Sequence, residues 1–449
     1  MQKNILIIGG GPAGVTTALT AKSVRPEQSV CVVKDIADGV IPCAIPYMIH
    51  TMSDPSQNRM GDQSLTDEGI EVINDQAIAM SPSLAEVTLK SGAKLAYDRL
   101  VLATGAKPSL PPIPGIDKAG VYTIQKELNY LAALRNELHA AQRVVVLGGG
   151  FIGAELADEL SRQGSVETHL VEMMPNLLSN AFDTEFCQHI ESILAGQGVQ
   201  IHTNSKVQSI EGQSQVHGVV LDSGEILPAD LVLVGVGGKP NVDLARKGGL
   251  RITDGGSIWV DSYMRTQDDK IFAVGDCALK RDFFTRKEVP VWLASTATAE
   301  ARIAGTNLFS IRVLRQIQGT IAAFSTNIGG VSFASAGLTC QSCEAEHFRI
   351  VTGCVTAPDR HPGNLPGVAE MKVKLVFADR AGVLLGGQIS GGPSVGELIN
   401  AVAIGIQKGL TVRELDMMQI ATHPLLTPAP TVHPLINCAH QALAKLRKR

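Results

Sequence analysis

Two short glycine-rich stretches carry the strongest chemical signal in the chain: Gly9-Gly10-Gly11-Pro12-Ala13-Gly14 and Gly148-Gly149-Gly150-Phe151-Ile152-Gly153. Each lies between an all-apolar run and a helical pattern, the setting in which Gly-x-Gly-x-x-Gly binds a dinucleotide. In the first, Gly9 permits a tight turn, Gly11 lets the backbone approach a pyrophosphate, and Gly14 lets helix and strand pack closely. The helix N-terminus then offers N–H groups and a partial positive charge to the phosphates. The second turn repeats the pattern. Chemistry beyond the phosphates depends on what ends the next strand. After the first turn that strand closes on Val33-Lys34-Asp35, so Lys34 and Asp35 are the candidates there, with Asp35 the ribose acceptor unless the contact is of another kind. After the second it closes on Val171-Glu172. Glu172 can accept from a ribose 2′-OH and would repel a 2′-phosphate, while Met173 and Met174 supply no cation to bind one. NADH over NADPH follows, and two dinucleotide sites in one chain suggest a flavin and a nicotinamide.

Buried parallel strands must hold these turns. Residues 4–8 and 143–147 are apolar after their first position, as strands covered on both faces are, and β-branched runs follow each helix at 29–33 and 168–171. Further apolar strands are expected at 99–103, 231–234 and 271–274. Residues 106–115, with four prolines, read as a crossover linker, and 235–241 as the return. From about residue 322 the texture changes to alternating strands (371–376, 383–389) and a helix (395–408), an α+β arrangement.

Composition bounds the rest. A length of 449 residues allows about three domains. The 45 glycines exceed the usual ~7% and have no collagen-like period, so they mark turns and close approaches. Lys and Arg total 39 against 43 Asp and Glu, a net charge of −4, which offers no global attraction to nucleic acid or to an anionic membrane. No apolar run reaches ~18 residues, so a membrane span is not expected. A strand begins almost at once with no visible targeting segment, which predicts a cytoplasmic, reducing setting. Eight cysteines are too few for a disulfide scaffold. The basic Lys-Leu-Arg-Lys-Arg at residues 445–449 reads as a solvated helix end.

With the two turns, three further segments carry a resemblance to the pyridine nucleotide-disulfide oxidoreductase family. Leu102-Ala103-Thr104-Gly105-Ala106 is similar to that family's second flavin-contact turn. Val274-Gly275-Asp276-Cys277-Ala278 is similar to its late flavin motif, in which the Asp accepts from the ribityl chain. Pro290 to Gly305 is similar to the following helix, whose N-terminus near Leu293-Ala294 would face the flavin N1–C2=O edge and stabilise the charge appearing there on reduction. The resemblance spans essentially the whole chain. It implies two Rossmann-like α/β domains plus a C-terminal α+β dimerisation domain: FAD-binding at 1–112 and 241–320, NAD-binding at 113–240 with Gly237 near its end, and the interface at 322–449. The implied cofactors are FAD and NADH, and the implied assembly is a homodimer.

Within that family the cysteines choose the branch. Cys43 lies in Ile41-Pro42-Cys43-Ala44-Ile45-Pro46-Tyr47. Two-cysteine members carry a second Cys five positions on, where this chain has Met48, and Pro46 rules out a Cys-x-x-Cys pair. Cys43 therefore resembles the lone redox cysteine of the branch that includes coenzyme A-disulfide reductase, NADH oxidase and NADH peroxidase. At a helix start beside flavin it would be a thiolate able to attack a disulfide or persulfide sulfur. Peroxidases and water-forming oxidases carry a His near the place of Pro12, and its absence argues against peroxide chemistry. His361-Pro362-Gly363-Asn364 resembles the Tyr-Pro-Gly segment of coenzyme A-disulfide reductase, with His361 and His423 at its tyrosine positions. His423-Pro424 is also similar to a His-Pro in which the imidazole is an acid/base, able to protonate a leaving thiolate. Cys31 and Cys277 read as small core residues. Cys340 and Cys343 have the spacing of a dithiol or half a zinc knuckle, with no matching second pair.

The resemblance implies hydride transfer from NADH to one flavin face, gated by Phe151 with Glu155 near the nicotinamide, and a Cys43–flavin pair on the other face. His423 would approach the other subunit's Cys43. The expected substrate is a small disulfide, persulfide or polysulfide. The rival readings are an NADH oxidase giving hydrogen peroxide and a reductase of a small electron-transfer protein such as rubredoxin.

Overall fold

The computed structural model describes residues 2–314 and 316–448, which form two compact units. The first comprises residues 1–111, 122–140 and 236–320, and the second residues 112–121, 141–235 and 321–449, their masked positions aside.

The first unit is built on a seven-stranded sheet. Its parallel part runs Glu71–Asn74, Val30–Lys34, Gln2–Ile8, Lys94–Leu102, with Ile271–Ala273 also pairing parallel to Lys94–Leu102. Ile5, Leu6, Val32, Leu100 and Val101 are fully buried, which is why the central stretches 5–8, 30–33 and 100–102 are apolar at every position rather than at alternate ones. Two strands that the apolar runs do not announce, Ala77–Ser81 and Glu86–Leu89, extend the sheet antiparallel beside Lys94–Leu102. Their alternating, half-buried pattern places them at its solvated margin. Helices Pro12–Val24 and Ala294–Asn307 pack closely: a Cβ at Gly305 would lie 3.0 Å from the Thr17 carbonyl oxygen. The proline-rich stretch is more ordered than a linker, since Ala106–Pro108 pairs antiparallel with Gly238–Pro240. Helix Leu128–Ala140 also belongs here. Arg135 donates to the Met52 and Ser53 carbonyls, and the His139 Nε2 lies 2.9 Å from the Ile49 carbonyl.

The second unit holds a parallel sheet in the order Gln200–His202, Glu167–Val171, Arg143–Leu147, Leu231–Val234. A three-stranded antiparallel sheet, Val207–Glu211, Gly218–Leu221 and Ile226–Pro228, packs its apolar face beside it. The C-terminal part is a five-stranded antiparallel sheet: Phe324–Ile328, Val331–Gly337, Leu384–Gly391, Glu370–Ala378, Ile350–Pro358. The texture change at 322 thus marks an α+β region, with three strands that sequence pattern left unassigned. Helix Val395–Lys408 lies at the expected place. The last helix, Pro434–Arg447, ends in exposed basic residues, and Lys445 caps the Thr352 carbonyl. Among the described residues no helix is long and apolar enough to cross a membrane.

Candidate active site

The two glycine turns have the same internal geometry. Gly9 and Gly148 stand at φ +117° and +99°, where L side chains are strained. A Cβ at Gly14 would lie 1.9 Å from the Gly9 carbonyl oxygen, and one at Gly153 1.8 Å from that of Gly148. The turn is therefore closed at its first and third glycines. At the middle glycine it is open: a Cβ at Gly11 or Gly150 meets no protein atom within 4 Å. Gly11 and Gly150 are also the N-caps of helices Pro12–Val24 and Phe151–Ser161, and no side chain caps either end. Space and donors coincide, so both cradles fit a pyrophosphate.

Around the first turn the chain gathers the expected flavin residues. Gly275, at φ +72°, approaches Ala13 so closely that a Cβ there would lie 2.8 Å from the Ala13 methyl. The Thr104-Gly105 turn is tied to Asn241: the Thr104 hydroxyl donates to its carbonyl at 2.6 Å, and the Asn241 N–H donates to the Gly105 carbonyl at 2.8 Å. Asp276 is half-buried, with Lys126 Nζ 3.8 Å away. Ala294 opens the late helix, which no side chain caps. Asp35 is exposed, whereas Lys34 is buried and its ammonium is bound to Asp62 at 2.6 Å and to the Ala37 carbonyl at 3.0 Å. The Lys34 charge is therefore satisfied within the protein, and its stem fills the space behind Gly10. Gly237 lies in the first unit beside the paired crossover strands, where its carbonyl accepts from Ser109.

The support of the Gly275 loop has no local signal in the sequence. Lys280 and Glu300 form a fully interior ion pair at 3.0 Å. Lys280 also donates to the Gly275 and Ala278 carbonyls, and Glu300 accepts from the Gly275 N–H at 2.9 Å. Burial pushes the Glu300 carboxyl upward and Lys280 opposes it. The pair lines a cavity of about 360 Å³ together with Trp259, Asp261 and Arg281. A buried ion pair is costly unless its remaining valences are met, and here the loop backbone meets them.

Cys43 is exposed and lies in the first of two successive 3₁₀ turns, Pro42–Ala44 and Pro46–Met48. This corrects the expected helix start, because prolines at both first positions and short i→i+3 bonds leave no multi-turn helix dipole behind the sulfur. Asn58, fully buried, fixes both ends of the segment: its side-chain amide donates to the Ile41 carbonyl at 3.2 Å and to Met48 Sδ at 3.0 Å. Met48, at the place of a second cysteine in two-cysteine relatives, is buried in the same staple.

At the second turn Glu172 is gripped by its own loop. Its carboxylate accepts from the Gly149 N–H at 2.6 Å and from the Met174 N–H at 2.8 Å, beside exposed Met173 and Met174. Ile152 is half-buried on the helix that follows, and Phe151 stacks on Phe324 with centroids 4.8 Å apart. Glu155, one turn on, is buried and receives a 2.6 Å hydrogen bond from the Thr326 hydroxyl. Burial pushes its carboxyl up to about 7, Thr326 opposes this, and Asp158 and Glu159 add to it. Elsewhere in this unit the structure brings His361 and His423 onto adjoining loops. The His361 N–H donates to the Pro424 carbonyl at 3.1 Å, its Nδ1 lies 3.0 Å from the Thr427 carbonyl, and His423 is exposed.

The other cysteines behave as burial dictates. Cys31 is pushed up to about 12, and so are Cys187 and Cys343, while Cys340 reaches about 11 with the Asp183 charge adding to burial. Such thiols are protonated near neutrality. Among the described residues no three His, Cys, Asp or Glu side chains are placed to hold a metal ion.

Two dinucleotide cradles, each at the C-terminal edge of a parallel sheet, define an oxidoreductase of the two-nucleotide class. Residues 3–301 match the pyridine nucleotide-disulphide oxidoreductase family and residues 302–433 its dimerisation domain. The chain belongs to that family, whose members use FAD and a nicotinamide nucleotide. It is 32% identical over 447 residues to the NAD(P)H sulfur oxidoreductase (CoA-dependent) of Pyrococcus abyssi, covering 98% of both chains. It is 31% identical over 463 residues to an NADH oxidase of Methanocaldococcus jannaschii, covering 99% of both. Among solved structures, the NAD-dependent persulfide reductase of A. fulgidus superposes with a TM-score of 0.91 at 29% identity, covering 100% of this chain and 84% of that one.

Proposed function

We propose that this protein is a homodimeric, FAD-dependent NADH:disulfide oxidoreductase acting on coenzyme A disulfide, a persulfide or polysulfide through Cys43. The observation that carries the reading is an exposed thiol in a stapled turn, with a buried methionine rather than a second cysteine five residues on. The similarity to sulfur reductases along the whole chain supports it. FAD, when bound, would supply two-electron redox chemistry between NADH and the sulfur substrate. The protein's own groups do the rest. Gly9, Gly11, Pro12, Ala13 and Gly14 hold one pyrophosphate and Gly148, Gly150, Phe151, Ile152 and Gly153 the other. Asp276 would accept from the ribityl hydroxyls, and Glu172 would orient the adenosine ribose of NADH. The Cys43 thiolate attacks one sulfur of the substrate, so a Cys43–sulfur bond forms as the substrate S–S bond breaks. The departing thiolate takes its proton from His423 of the partner subunit. Two electrons would then cleave the mixed disulfide, releasing its second sulfur as a thiolate and restoring the Cys43 thiolate.

In anaerobic titration, the Cys43→Ser holoenzyme should still be bleached by NADH at near the wild-type rate. It should lose at least about 100-fold in turnover of coenzyme A disulfide, persulfide and polysulfide. Unchanged disulfide turnover would overturn the mechanism. The full-length similarity to an NADH oxidase favours a second reading, reduction of O₂ to hydrogen peroxide. Oxygen consumption that survives Cys43→Ser, without measurable sulfur turnover in the wild type, would establish it instead.

A further inference from the structure

Helix Phe151–Ser161 and strand Phe324–Ile328 meet in step. Phe151 stacks on Phe324 at an interplanar angle of 17°, Glu155 accepts from Thr326, and the Asp158 carboxylate accepts from the Gly329 N–H at 3.0 Å. Spacings of four and three residues on the helix meet spacings of two and three on the strand, so one helix face reads one strand face. The strand belongs to the stretch matched as a dimerisation domain, yet within its own unit it touches the helix that opens on the nicotinamide turn.

We propose that Thr326 is a positioning residue for hydride delivery, its hydroxyl fixing the orientation and charge state of Glu155 at the nicotinamide end of this helix. The inference rests on the reading of Glu155 as the carboxyl beside the nicotinamide. Thr326 is buried and its donor goes to Glu155 Oε1, so the hydroxyl favours the ionised form of a carboxyl that burial would keep protonated. Among the described residues, the charged groups that act on Glu155 are those of its own helix. Asp158 and Glu159 oppose its ionisation, and both are paired with Arg162 at 3.0 and 3.7 Å. The strand presents Phe324, Ser325, Thr326, Asn327 and Ile328, with no ionisable side chain among them. From helix Thr184–Gly196 and its C-cap, Gln197 donates to Asp158 Oδ1 at 2.9 Å. Thr326 is thus the strand's one hydroxyl on Glu155, and the residue through which the C-terminal sheet acts on the reductive half-reaction.

The test follows flavin reduction by NADH in the holoenzyme by stopped flow between pH 5.5 and 9. In parallel, the Glu155 carboxyl is titrated by NMR in ¹³C-glutamate-labelled protein and assigned with Glu155→Gln. Thr326→Val, which keeps shape and removes the donor, should move both midpoints upward by about one unit. Thr326→Ser should restore them. Midpoints unmoved in Thr326→Val, with the NMR midpoint present and the kinetic one abolished by Glu155→Gln, would overturn the role of Thr326 and leave Glu155 in place. A kinetic midpoint that persists in Glu155→Gln would overturn the reading of Glu155 and the proposal together. Thr326→Val and Thr326→Ser each differ from wild type by one heavy atom, and retained FAD absorbance confirms that each has folded.

Discussion

The two glycine turns are near copies in backbone, yet the residues that follow them differ in kind. Helix Pro12–Val24 carries no carboxylate and ends in the basic Lys22. Helix Phe151–Ser161 carries Glu155, Asp158 and Glu159, all buried. After the second strand, Lys34 is turned inward to Asp62, while Glu172 is held at the turn by two backbone N–H groups. A phosphate cradle is therefore a matter of local backbone geometry and can be repeated. Which nucleotide occupies it, and what chemistry it meets, depends on side chains one helix and one strand further on.

The comparison is broken most severely at the third glycines. Gly14→Val should give protein without FAD absorbance, because its Cβ would overlap the Gly9 carbonyl oxygen. Gly153→Val should retain FAD and lose NADH affinity by at least about 100-fold, measured as the NADH concentration for half-maximal bleaching. Equal loss of FAD in both variants would mean that the cradles are not independent.

A smaller effect separates the two helices by pH. Below about pH 4.5 Glu155 is neutral in both folded and unfolded chains, and as pH rises the unfolded chain ionises first. Above about 7 the folded protein carries the full cost of a buried charge, about 3 kcal/mol. Glu155→Gln should therefore match wild-type stability near pH 4.5 and exceed it by up to that amount at pH 8, read from urea unfolding midpoints. A constant difference across that range would contradict burial as the cause.

The mildest test concerns nucleotide choice. Glu172→Gln keeps an acceptor for the Gly149 N–H and removes the charge that faces a 2′-phosphate. The ratio of kcat/KM for NADH over NADPH should fall by about tenfold, or 1.4 kcal/mol. An unchanged ratio would place the discrimination elsewhere on the turn.

These contrasts also show what was readable in the residues. Glycine turns, buried strands and strand-end acids are local signals, because each is set by neighbours within a few positions. The parallel sheets and both cradles follow from them. Cys43 was legible as a thiol with Met rather than Cys five positions on, but its 3₁₀ setting was not, since prolines at 42 and 46 suit either helix type at their first positions. Residues that act at long range had no such signature. Thr326 lies 171 positions from Glu155 in an ordinary strand sequence. Asn58 serves the Cys43 segment from 17 positions away. Lys280 and Glu300 had none either, since Lys280 runs into Arg281 and Asp282 and Glu300 lies two residues from Arg302, so neither reads as a lone buried charge.

The interleaving of the two units has a consequence for how the chain is made. Strand Lys94–Leu102 gains its parallel neighbour Ile271–Ala273 only after more than 160 further residues have left the ribosome. Until then residues 100–102, beyond the pairing with Glu86–Leu89, present unpaired N–H and C=O groups on one side, a template for pairing with other nascent chains. Fragments that stop before residue 271 should therefore aggregate rather than persist as a half-formed flavin domain, so even the first cradle, at residues 9–14, depends on chain more than 250 residues further on.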